Sequence, residues 1–145
     1  MITFLPTSQQ AIGWLHHLLE LCHYFIPDQS PNDAIFNWIF KFLILLHAAQ
    51  LHQLENMAIV QKIWILHFLQ LTGSITHELS RQQYVLINEI ADLLEKNTIT
   101  AFTTPPSLLH YTKKDHRNLT AFILQKLQGH PCFKHFKTIP FVYSS

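Results

Sequence analysis

Eleven histidines in 145 residues make metal binding the first chemistry to weigh. His16, Glu20 and His23 fall at i, i+4 and i+7, so a helix would carry all three on one face. Glu20-Leu-Cys-His23 also has the Glu-x-x-His form used by di-iron bundles, but such a centre takes two copies of that motif plus two further glutamates on facing helices. The second and third apolar segments contain no second copy. The expectation is therefore no bound metal and no cofactor. His47 and His67 lie on apolar faces and could enter the core, each satisfied by a single hydrogen bond.

Covalent catalysis needs a nucleophile, a base in reach and a group that orients the base. Neither a Gly-x-Ser-x-Gly elbow nor a papain-type cysteine segment is present. Glu89 and Asp92 pair on one helix face and read as solvated. With only Gly13, Gly73 and Gly129, no clustered glycines could cradle a phosphate. No catalytic residue is assigned, and the chain reads as a binding protein rather than an enzyme.

Charge is distributed unevenly. Residues 1–107 carry four basic side chains against eight acidic ones; residues 108–145 carry six basic ones against Asp115 alone. Those six, Lys113, Lys114, Arg117, Lys126, Lys134 and Lys137, are interleaved with Tyr111, Phe133, Phe136, Phe141 and Tyr143. Cations release counterions from phosphate and rings stack on bases, so this end is the candidate nucleic-acid contact. The plainer alternative has the rings packed inward and the lysines solvating a helix.

The elements that must position these residues are helical. Apolar periodicity predicts helices from about Ser8 to Phe25, Ala34 to Leu51, Glu55 to Leu71, Ser80 to Glu95 and His116 to Gln128. Ser8 suits an N-cap, Asn32 or Asp33 caps the second helix, and Gly73 signals the end of the third. The second helix is apolar nearly all round, which places it at the centre of a bundle or under a covering partner. Thr98 to Thr103 could form a short strand, and Phe133 to Tyr143 a short helix with an extended end. The prediction is an all-α fold, one domain over residues 1–145, with about five helices in a bundle.

Composition agrees. Charged residues make up 13% of the chain, about half the usual share, so uncharged polar groups must carry solubility and some apolar surface is left bare. The run Ala34 to Ala49 is interrupted by Asn37, Lys41 and His47, so no membrane span is expected. Cys22 and Cys132 define no disulfide framework, and a reducing cytosol is the default setting.

Four segments, in order, resemble the C-terminal helical domain of the bacterial recombination and repair protein O family, RecO. Ile12 to Leu21 is similar to its Y-L-x-E-L helix, and Pro31 to Phe40 with Leu43 to Leu46 to its L-F-x-L-L-x-x-L-x-x-L helix. Ile63 to Gly73 resembles its F-E-x-x-L-L-x-x-x-G segment, and Leu119 to Leu127 with Phe133-Lys-His-Phe-Lys-Thr138 its closing helix and L-K-S motif. The family's usual OB-fold domain would be missing, removed or on a separate chain. Cysteines of its zinc module are not found after Gly73, and Thr138 stands where it has serine.

The resemblance implies a bacterial cytoplasmic accessory of DNA repair and homologous recombination, which anneals strands and helps load recombinase. Its partners would be single-stranded DNA-binding protein (SSB), recombination protein R and DNA, the last bound weakly without an OB domain. It also implies that Lys62, where the family has a basic residue, would pair with the acidic tail of SSB. Ile63 and Trp64 would seat that tail's phenylalanine. The alternative is a helical protein–protein interaction module unrelated to DNA, Bcl-2-like or effector-type, with an exposed apolar groove.

Overall fold

A computed structural model describes residues 9–26, 33–52, 57–96 and 104–143. Six α-helices follow in chain order: α1 (Gln9–Phe25), α2 (Asp33–His52), α3 (Met57–Leu71), α4 (Arg81–Glu95), α5 (Lys113–Gln128) and α6 (Ile139–Val142). Single turns of 3-10 helix at Pro106–His110 and Phe133–His135 flank α5. The described residues contain no strand, so the fold is an all-α bundle. Thr98 to Thr103, where a short strand is possible from sequence, lies outside the described residues.

Helix ends follow local hydrogen-bond chemistry. Ser80 and Gln83 form a capping box that opens α4: the Gln83 N–H donates to the Ser80 hydroxyl at 3.2 Å, and the Ser80 N–H donates to the Gln83 amide oxygen at 2.9 Å. Thr112 and Asp115 do the same for α5, at 3.0 and 2.9 Å. That second box starts α5 at Lys113, three residues before the His116 expected from apolar periodicity, because capping and not burial sets the first turn.

Gly73 ends α3 in the left-handed region at φ +81°. Its N–H donates to Gln70 O at 3.2 Å and the Ser74 N–H to Leu69 O at 2.9 Å, the paired bonds of a Schellman ending.

The central helix is α3; of the two places that its apolar circumference allowed α2, the centre of the bundle is taken by α3. Met57, Ile59, Val60, Ile63, Trp64, Ile65, Leu66, Phe68 and Leu69 are all buried, on every side of the helix. Helices α2, α4 and α5 pack around it, and α1 packs on α2 and α6. Trp38 and Trp64 lock α2 to α3. Their rings are 6° from parallel, the Trp38 indole N–H donates to Trp64 O at 2.7 Å, and the Trp64 indole N–H returns to Trp38 O at 3.3 Å. Helix α2 is left on the outside, with Phe36 67% and Phe40 52% exposed.

Candidate nucleic-acid interface

The first two turns of α5 present Lys113, Lys114 and Arg117, all exposed. The acid among them, Asp115, is turned back into the cap with the Thr112 N–H. This end of the helix therefore exposes three cations while its carboxylate is held by its own backbone. Cations at a helix N-terminus oppose the macrodipole, so these residues do not stabilise the helix they open.

What holds this end in place is Lys62. Its side chain is fully buried, and the ammonium donates to His116 Nε2 at 2.9 Å and to Thr120 Oγ1 at 3.0 Å, on the next turns of α5. Burial pulls the Lys62 amine down to about 8, and burial together with the Lys62 charge lowers His116.

This corrects the seat expected for an acidic tail. Lys62 and Ile63 have no exposed surface and Trp64 has 2%, so none of the three faces solvent. The reason is the position of α3: every face of this helix is covered by a neighbour, and a residue on it contacts protein whatever its polarity. Lys62 is a strut between α3 and α5.

Lys126 does not join the cationic end of α5. It is nine residues past Arg117, about half a turn around the helix and roughly 13 Å along it. Its ammonium pairs with Glu78 and lies 5.5 Å from the Phe122 ring centre.

Lys134 and Lys137 belong to a second cationic group, on the tail that crosses α1. The Glu20 carboxylate accepts the Lys137 N–H at 2.6 Å, the Thr138 N–H at 3.1 Å and the Thr138 hydroxyl. Because Thr138 donates its proton to Glu20, its oxygen accepts from His17 Nδ1–H at 2.9 Å. His17 Nε2 then accepts the Tyr143 O–H at 2.7 Å. His17 is fully buried, which drives its imidazole down to about 4, and burial raises the Tyr143 phenol well above its ordinary range. This Tyr143–His17–Thr138–Glu20 chain straps the tail to α1. Neither end of it marks the other in sequence, since the partners are more than 115 residues apart.

The rings interleaved with the basic residues pack inward. Phe136 and Tyr143 are buried, and Tyr111 and Phe133 are half-buried. Burial with the nearby Asp115 pushes the Tyr111 phenol up to about 12. The Phe141 side chain lies outside the described residues. The stacking expected for these rings has no exposed platform among the described residues, and the cationic part of that expectation stands alone.

Glu20, read as a candidate metal ligand, is occupied by the tail, while His16 and His23 project outward. No three groups of ligand type converge among the described residues. Glu89, read as solvated, accepts the Ser107 N–H at 3.0 Å and the Ser107 hydroxyl at 2.6 Å, and so fixes the 3-10 turn against α4. His67 Nδ1 pairs with Gln70 Oε1 at 3.1 Å, the single bond expected of it. Cys22 and Cys132 are free thiols, and burial raises Cys22 to about 11, far from a reactive thiolate. None of the described helices is long and apolar enough to cross a membrane.

Comparison with protein-family models, curated proteins and solved structures returns no significant match.

Proposed function

We propose that this chain is a RecO-like helical module of DNA repair and recombination that binds single-stranded nucleic acid through its cationic edges. The observation that carries the reading is the N-terminal end of α5, where Lys113, Lys114 and Arg117 are exposed and the neighbouring Asp115 is held in its own cap. The ordered sequence resemblance supplies the biological setting, with SSB and recombination protein R as partners. Contacts of this kind position a phosphate backbone without reading bases. Any docking of the SSB tail has to use a surface other than Lys62, Ile63 and Trp64.

The test is binding of a labelled oligothymidylate at several salt concentrations. Affinity should fall steeply with salt, since each neutralised phosphate on a single strand contributes about −0.7 to the log–log slope. No binding at low salt would overturn the proposal.

One observation favours a second reading, a protein–protein interaction module. Phe36 and Phe40 stand one turn apart on α2, both more than half exposed. Retained self-association or peptide capture that Phe36→Ser and Phe40→Ser abolish, with no DNA binding, would select it.

A further inference from the structure

Helix α2 carries an outward seam. Phe36, Phe40, Leu43 and His47 follow one another at intervals of four, three and four residues, so they share one face of the helix. Leu43 and His47 are half-buried, while Phe36 and Phe40 are more than half exposed. Trp38, Phe42 and Leu45 take the opposite side, toward the core.

Helix α1, which packs beside α2, adds apolar surface. One flank of α1 is taken by the tail: Gly13 faces Val142, His17 bonds Thr138 and Tyr143, and Glu20 holds Lys137. Ile12 and Leu19 lie roughly 120° around the helix from that flank. They are 40% and 60% exposed, at the edge of a stripe that continues into half-buried Leu15 and Cys22.

This face is nearly free of charge. Between Asp33 and Lys41, α2 has no acidic or basic side chain, and Lys41 is drawn to Glu95 of α4 at 2.9 Å. Of Asp, Glu, Lys and Arg, α1 carries Glu20 alone, and the tail holds it. The face therefore offers a charged partner nothing to pair with, and a copy of itself meets no like-charge repulsion.

We propose that this face is a dimerisation surface whose occupant is the same face of a second copy of the chain, with the two α2 seams antiparallel about a two-fold axis. The inference takes its surface from the protein–protein interaction reading and names the occupant. A spacing of four, three and four reads the same in both directions, so the seam is complementary to itself under a two-fold axis. Antiparallel pairing sets Phe36 against His47 of the second copy and Phe40 against its Leu43, as knobs between neighbouring side chains. The exposed parts of Ile12, Leu19, Phe36 and Phe40 come to roughly 400 Å², half of the ~800 Å² that each partner gives to a standard interface. An interface of that size sets a dissociation constant on the order of 10–100 µM.

Sedimentation equilibrium of the full chain over roughly 2 to 500 µM is the test. The average mass should climb from 17.0 kDa toward twice that value. Phe36→Ser and Phe40→Ser, both at exposed positions, should keep the circular dichroism spectrum and weaken association at least about tenfold each. Leu109→Ser, at a side chain 86% exposed on the 3-10 turn before α5, should leave association unchanged. Amide NMR shifts on dilution should centre on Phe40 and Leu43. A chain that stays at 17.0 kDa throughout overturns the dimer. So does an association that both Phe substitutions leave intact, or one that Leu109→Ser weakens equally. The interaction reading falls separately, when neither a second copy nor a peptide binds at Phe36 and Phe40.

Discussion

The Lys62 ammonium donates to His116 Nε2 at 2.9 Å across the contact between α3 and α5. The bond requires an unprotonated Nε2, so the proton of the His116 imidazole sits on Nδ1. Lys62 also donates to Thr120, whose hydroxyl in turn donates to His116 O at 3.1 Å. One buried cation thereby fixes two turns of α5 and, through them, the direction of Lys113, Lys114 and Arg117.

Holding Lys62 charged inside the bundle costs stability, and the pH dependence follows from its sign. The amine is at about 8 when folded and 10.5 when not. Between those values the unfolded chain holds more protons, so stability rises with pH. From pH 7.5 to 9.5 the gain is on the order of 2 kcal/mol. Lys62→Met should be more stable than the parent at pH 7.5 by about 1–4 kcal/mol and should lose this component of the rise. Urea denaturation at the two pH values measures the difference. A methionine variant less stable at pH 7.5 would show that the bonds to His116 and Thr120 outweigh the cost of burying the charge.

Acid should release the tail. His17 is at about 4 folded against 6.5 unfolded, so its contribution is complete above pH 6.5 and disappears as pH falls toward 4. Between pH 7 and pH 5 the loss is on the order of 2 kcal/mol. His17→Gln should flatten that slope in thermal melts. Tyr143→Phe removes the O–H that Nε2 accepts and should destabilise the protein at pH 7 by about 1–3 kcal/mol. Hydrogen exchange of the Thr138 and Val142 amides reports whether the tail opens before the bundle does.

Gly73 can be tested without touching the core. A Cβ there would meet nothing within 4 Å, so the whole cost of Gly73→Ala is the left-handed backbone at φ +81°. A loss of about 1–2 kcal/mol is expected in denaturant unfolding, with an unchanged m-value. An unchanged midpoint would mean that the Schellman ending of α3 is not required.

Among the late basic residues, the effects on DNA binding should divide by geometry. Lys113→Gln, Lys114→Gln and Arg117→Gln together should reduce the magnitude of the salt slope by about 2 and leave the melting temperature unchanged or higher. Lys126→Gln should change the slope little, because this ammonium is already paired with Glu78. An equal effect from Lys126 would mean that Glu78 releases it in the complex.

Helix positions and stops were legible in the chain because they are local. Periodic Trp14, Leu18 and Leu21 mark α1, and Gly73 marks the end of α3. The Thr112–Asp115 box that opens α5 is equally local, but it lies ahead of the apolar periodicity, which begins only after His116. The cationic character of the last 38 residues is also a property of sequence alone. Tertiary structure decided which helix sits in the middle. Helices α2 and α3 are both apolar nearly all round and each packs on three neighbours, but only α3 is covered on every side, while α2 leaves Phe36 and Phe40 bare. That choice turns Lys62 from a surface charge into an interior strut. It also takes the folded chain to bring Glu20 and His17 onto Thr138 and Tyr143, since a carboxylate and an imidazole carry no trace in sequence of partners more than 115 residues away. Local hydrogen bonding and periodicity can be read along a chain, whereas the environment that sets a side chain's charge state exists only after distant segments have met.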